Sequence, residues 1–171
     1  MKTIALLAAA SLLATALPVS QPAAAAGDFL SRFDGQWSGS GEVIREESPS
    51  KPNAIKCSIA VDRAANSFSM DGDCRAAVIF TRSIGASLDY DPGSGVFTGV
   101  FTGSKKGPAQ LEGRQKGNSL VLNMTWRKPI FGDRSSVLTL TNTGNGTFSL
   151  AITDQVEGRA VKTTDVSFHR A

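Results

Sequence analysis

Apolar and polar residues alternate along most of this chain with a period of two, as expected of strands buried on one face. The pattern opens at Gly35-Gln36-Trp37-Ser38-Gly39-Ser40-Gly41-Glu42-Val43. Trp37, Gly39, Gly41 and Val43 fall on one side, and Ser38, Ser40 and Glu42 on the other. A Trp followed by Gly at every second position makes a bulky anchor and then two gaps. A neighbouring backbone or an opposing side chain can come close there, as at a barrel corner. The first strand is expected over about 36–46, and Glu46 to Asn53, rich in Pro, Ser and charge, reads as plain loop.

Two alternating runs follow that fold onto each other. Ile55, Cys57, Ile59 and Val61 share one face; after Ala64-Ala65-Asn66, so do Phe68, Met70, Gly72 and Cys74. With Ala65-Asn66 at a hairpin tip, Cys57 faces Cys74, Val61 faces Met70 and Ile59 faces Gly72. The register that matches the apolar faces also joins the sulfurs. For a two-residue tip, 57/74 is a non-hydrogen-bonded pair with Cα atoms about 4.5 Å apart, within disulfide reach.

The next alternation, from Val78 to Tyr90, puts Val78, Phe80, Ile84, Ala86, Leu88 and Tyr90 on one face, with Arg82 among them. Gly85 is a candidate bulge that would re-aim part of that face. A charge at Arg82 needs an acidic partner, a watery lumen or an anionic ligand, unless such a bulge throws it outward. Asp91-Pro92-Gly93-Ser94-Gly95 turns the chain into a strand at 96–103, whose buried face the pattern leaves open. Beyond the turn at Ser104–Pro108, Ala109 and Leu111 face Trp126 and Met124 across Gly117-Asn118. Arg127 to Arg134 reads as an irregular loop. Leu138 and Leu140 then pair with Leu150 and Phe148 across Thr143-Gly144-Asn145. A last strand at about 160–170 carries Val166, Phe168 and Arg170 on one face and His169 on the other.

About ten short strands result, joined by turns of Gly, Asn, Asp, Pro or Ser, with no helical apolar period after residue 34. Sequential hairpins with one apolar face each imply an all-β fold, an up-and-down antiparallel barrel. A Greek-key sandwich is the competitor, but it needs long crossovers where these loops are short.

The N-terminus adds a compartment. Lys2, the apolar run Ile4 to Leu17, Pro18 and the small-residue tract Ala23–Ala26 form a signal peptide, with cleavage expected after Ala26. Residues 1–26 are thus the leader and 27–171 a single β-barrel domain of ordinary size. A periplasmic or secreted location follows, and an oxidising compartment would pair Cys57 with Cys74 as a structural disulfide. The apolar run is too short to span a membrane comfortably. Asp28-Phe29-Leu30-Ser31-Arg32-Phe33 is expected as a short helical turn capped by Asp28, its aromatics a lid on one end of the barrel. The formal net charge of +3, with signs interspersed, leaves no footprint for nucleic acid.

Gly35-Gln36-Trp37 on a first strand, just after a short aromatic turn, resembles the opening motif of lipocalins and related calycins. The resemblance implies a calycin-like barrel whose Trp packs at the closed end beneath a basic residue of the last strand. Trp37 and Arg170 are the matching positions. Nitrobindin-like haem barrels also open with Gly-x-Trp-x-Gly-x-Gly, as Gly35 to Gly41 does, and use a His near the C-terminus as iron ligand. His169 stands near the end, but on the parity opposite Phe168 and Arg170. Bacterial metalloprotease inhibitors are similar in outline, with a Gly-x-Trp start and one disulfide. That likeness would make Gly27-Asp28-Phe29-Leu30 an inhibitory trunk.

Chemistry for turnover is sparse. With one His on the outward parity, a Ser-His-Asp arrangement is not expected. Asp62, Asp71 and Asp73 fall on the outer face of the cysteine hairpin and read as solvated surface, so no metal site and no cofactor is expected. Polar outer faces, with few aromatics for interfacial girdles, set aside an outer-membrane barrel. The expectation is an exported, non-enzymatic binding protein, not membrane-spanning, that holds a small apolar or amphipathic ligand in its lumen. Arg82, Phe80, Met70, Met124, Trp126 and Phe148 are the candidate lining; Trp37, Arg170, Cys57 and Cys74 are structural. The alternative is a protein-interaction module, such as a protease inhibitor, with a solid core.

Overall fold

A computed structural model describes residues 23–77 and 80–171, the side chains of 23–26 excepted. Among these the chain forms one helix, α1 (Ala23–Ser31), and ten strands. The strands are β1 (Gly35–Arg45), β2 (Ser48–Arg63), β3 (Ser67–Ala76), β4 (Phe80–Asp91) and β5 (Val96–Thr102). They continue as β6 (Ala109–Lys116), β7 (Ser119–Ile130), β8 (Asp133–Asn142), β9 (Thr147–Val156) and β10 (Arg159–Arg170). Each pairs antiparallel with its sequence neighbour, and β10 returns to pair with β1, closing the barrel. Closure gives every strand a neighbour on both sides. The expected leader lies largely outside the described residues, and its expected cleavage point falls within α1.

The cysteine hairpin has the expected register. Ala64 N–H donates to Ser67 O around the Ala65-Asn66 tip, Val61 faces Met70, and Cys57 is bonded to Cys74 with Cα atoms 4.0 Å apart. Inward glycines permit the curvature. A Cβ on Gly41 would meet the Asp165 carbonyl of β10, and one on Gly113 the Val121 carbonyl of β7, both far inside contact distance. Gly39 makes room instead for the Phe168 ring.

Five expectations need correction. The stretch 46–53 is mostly strand: β2 starts at Ser48 and carries Pro49 and Pro52. Among the described residues β3 reaches only to Ala76, opposite Ile55, so this part of β2 pairs with β1 alone, and an edge tolerates a missing N–H. The stretch 127–134 is also strand and tight turn, with Phe131 and Gly132 both at positive φ (52° and 98°) as a two-residue hairpin requires. No bulge occurs at Gly85, whose pairing with both neighbours is regular. The β8–β9 register is two residues off: Leu140 faces Leu150 and Leu138 faces Ile152, because Asn142 turns inward and the loop tip moves to Gly144–Gly146. Asp28 lies inside α1 and does not cap it.

The expected lid is present. Phe29, Leu30 and Phe33 are each about 1% exposed and plug the end of the barrel where β1 begins. Phe33 packs edge-on against Phe68 and Phe148, and Trp37 edge-on against Phe148. The Trp37 Nε1–H donates to Phe33 O (2.6 Å). Arg170 lies over the indole, 4.7 Å from its centre, and donates to Asp34 O (2.9 Å). Asn142 fastens the plug from another side, donating to Arg32 O (2.8 Å).

Candidate functional site

Above the plug the barrel fills itself. Phe97 and Phe101 settle the open question at 96–103: the Phe/Gly face points inward. Met70, Met124, Trp126 and Phe148, four of the six candidate lining residues, are 1–4% exposed and belong to one continuous apolar core. Two open depressions lie on the outer wall. One, of about 460 Å³, is bordered by Ser40, Thr147, Ser149, Ser167 and His169; the other, of about 360 Å³, by Thr98, Gln110 and Asn123. His169 is exposed on that wall, opposite Ser38 and Thr147, away from the lumen. Asp71 and Asp73 are likewise exposed on the outside.

Phe80 and Arg82 behave differently. Both keep the inward parity, with Arg82 opposite Cys74. Yet both sit where β4 starts, beyond the packed layer, at the barrel end far from α1. Phe80 is 67% exposed, the one large hydrophobic residue so exposed among the described residues. The guanidinium of Arg82 donates to Gly103 O (3.4 Å), across to the end of β5. Position along the strand, not a bulge, frees it from the core.

One polar cluster interrupts the core near that far end, of which sequence reasoning names only Trp126. Trp126 Nε1–H donates to Ser136 Oγ (2.6 Å), whose hydroxyl donates to Asp154; Thr163 donates to the other carboxylate oxygen. All four side chains are at most 5% exposed. Burial pushes the Asp154 carboxyl above its usual range; the two hydroxyls oppose this, and the nearby Asp133 charge adds to it. Asp154 shares the alternation of Leu150 and Ile152 and could have been found that way. Thr163 could not, since it points inward through a register shift between Lys162 and Thr164. With both carboxylate oxygens engaged, the cluster fastens β7, β8, β9 and β10 together.

The hairpin tips at the two ends differ in chemistry. Near α1 they are Ala65-Asn66, Pro92–Gly95, Gly117-Asn118 and Thr143–Gly146, free of charge and aromatics. At the far end they include Lys105-Lys106 between β5 and β6 and Ile130-Phe131 between β7 and β8. Lys106 pairs with Glu46 (2.7 Å), joining tips that β3 and β4 separate around the rim. Arg127 packs its stem beside Gly107, and Arg134 donates to Trp126 O (2.7 Å).

No family model and no curated protein matches the sequence. Among solved structures, the fold is similar to the crystal structure of Rv2717c from M. tuberculosis. The TM-score is 0.66 at 14% identity, over 88% of this chain and 98% of that one. At that identity the likeness is one of fold.

Proposed function

We propose that this is an exported, non-enzymatic binding protein that works through its surface, with the closed barrel as a rigid, filled scaffold. The filled interior carries this reading: four of the six side chains expected to line a ligand cavity, Met70, Met124, Trp126 and Phe148, belong instead to one apolar core. A drug-sized ligand needs a cleft of about 300–1,000 Å³ inside apolar walls, and the depressions of that size face outward between hydroxyl-bearing strands. Export is supported by the leader pattern and by the disulfide; among the described residues no helix is long and apolar enough to cross a membrane. The apolar-in, polar-out walls are the reverse of a membrane-spanning barrel. The trunk of the metalloprotease-inhibitor likeness is committed elsewhere, since Phe29 and Leu30 plug the chain's own barrel.

Trp37 and Trp126 are both in the core and report on it directly. Titration of the exported protein with long-chain fatty acids and with a lipophilic fluorophore should leave their emission unchanged. A saturable one-to-one change would overturn the surface reading and restore a lumen ligand, with Met70, Met124, Trp126 and Phe148 as its walls.

A further inference from the structure

We propose that the far end of the barrel docks on an anionic phospholipid surface. This rests on the surface-acting reading and names its partner. The arc of rim from β3 to β8 presents Arg75, Arg82, Lys105, Arg127, Lys128 and Arg134, all exposed and, among the described residues, in no ion pair. They outnumber the carboxylates on the same arc. Asp73 accepts from Ser83 (2.7 Å) and Asp133 accepts from the Ser135 N–H (2.6 Å), while Lys106 holds Glu46 of the β1–β2 turn. On the opposite arc Arg45–Glu47, Arg159–Glu157 and Lys162–Asp165 pair with each other, while Lys51 and Lys56 of β2 stand exposed and, among the described residues, in no ion pair.

Apolar groups flank the cations. Phe80 stands exposed on one side of the Lys105-Lys106 tip, and Ile130 and Phe131, both half-buried, on the other. Phe131 occupies a left-handed turn position (φ 52°) where a bulky side chain is disfavoured and Asn or Gly is usual. Phe80 is exposed against its preference for burial and Phe131 turned against its backbone preference, both at the end of the molecule where cations are in excess. A flat anionic surface satisfies both sets together: cations meet headgroups, and ring edges enter the interface between them. A concave protein pocket would engage one tip, whereas these groups are spread over several tips of a convex end.

Flotation of the exported protein with phosphatidylcholine vesicles, with and without phosphatidylglycerol, tests this. Binding is expected only with phosphatidylglycerol and should fall as salt rises. Each lost cation should weaken it about fivefold, so Lys105→Glu with Lys128→Glu should lower it by more than tenfold, and Phe80→Ser should weaken it without changing its salt dependence. Arg63→Glu with Lys116→Glu, an equal charge change at the plugged end, should leave binding intact. An unchanged thermal midpoint confirms that each variant is folded. Absence of binding at low salt, equal binding to neutral vesicles, or equal loss in the control pair would overturn the proposal. So would capture of an acidic protein by this end in place of vesicles. Saturable fatty-acid binding in the core would instead overturn the surface reading.

Discussion

Removing Trp37 and Arg170, singly and together, probes the seam where the barrel closes. Trp37 is fully buried, and truncation to Ala would leave a cavity costing about 3–5 kcal/mol. It would also leave the Phe33 carbonyl without its indole donor, for about 1 kcal/mol more. Against a total stability of about 5–15 kcal/mol, that is enough to unfold a marginal domain. Trp37→Phe is therefore the working variant, keeping a ring but losing the N–H and much of the quadrupole that holds Arg170. Arg170→Ala gives up the cation–ring contact, about 0.5–2 kcal/mol, and a bond to Asp34 O on the surface. Urea unfolding of wild type, both single variants and the double variant gives the coupling directly. It should be about 0.5–1 kcal/mol, with the double variant less damaged than the two losses added. Strict additivity would refute the contact, and with it the reasoning that the last strand's cation clamps the plugged end.

Other consequences are as specific. Reducing Cys57–Cys74, or replacing both by Ala, should cost about 3 kcal/mol in urea unfolding through the loop it closes; free thiols in protein purified without reductant would contradict it. Asp154 has a raised folded pKa, so the native state holds the proton more tightly than the unfolded chain. Its contribution is full below the ordinary value of 3.8 and is lost as pH rises through the folded value, where the charge must form in a buried site. Asp154→Asn should flatten that slope in a series of unfolding curves against pH, and an unchanged slope would show the carboxyl to be unperturbed. Gly113→Ala should destabilise by about 1–3 kcal/mol, because its Cβ meets the Val121 carbonyl of the adjoining strand; a neutral result would mean the strands are not that close. Phe80→Ser should leave the thermal midpoint within about 2 °C, as for any side chain outside the core.

Period-two alternation carries a strong message in a closed barrel, because every strand has one wet face and one dry one. That is why the cysteine register and the facing of Ala109 and Leu111 with Trp126 and Met124 were legible, whereas the meeting of Trp37 with Arg170 was expected only from the calycin resemblance. Parity says nothing of height along the barrel, however. Phe80 and Arg82 have the same parity as Leu88 and Tyr90, yet stand at the rim, where inward means toward solvent. The register of β8 on β9 was illegible because Asn142, a polar residue, turns in to satisfy the Arg32 carbonyl and lengthens the turn's approach. Thr163 was hidden by a register shift, which breaks the alternation on which such reading depends.

The central claim is that the barrel interior is occupied by its own side chains. Native mass spectrometry of the protein purified from its native source measures this most directly. The account predicts the mass of the chain without its leader, less two hydrogens for Cys57–Cys74, and nothing retained under gentle conditions. A stoichiometric small molecule that stays with the folded protein and leaves on unfolding would contradict it.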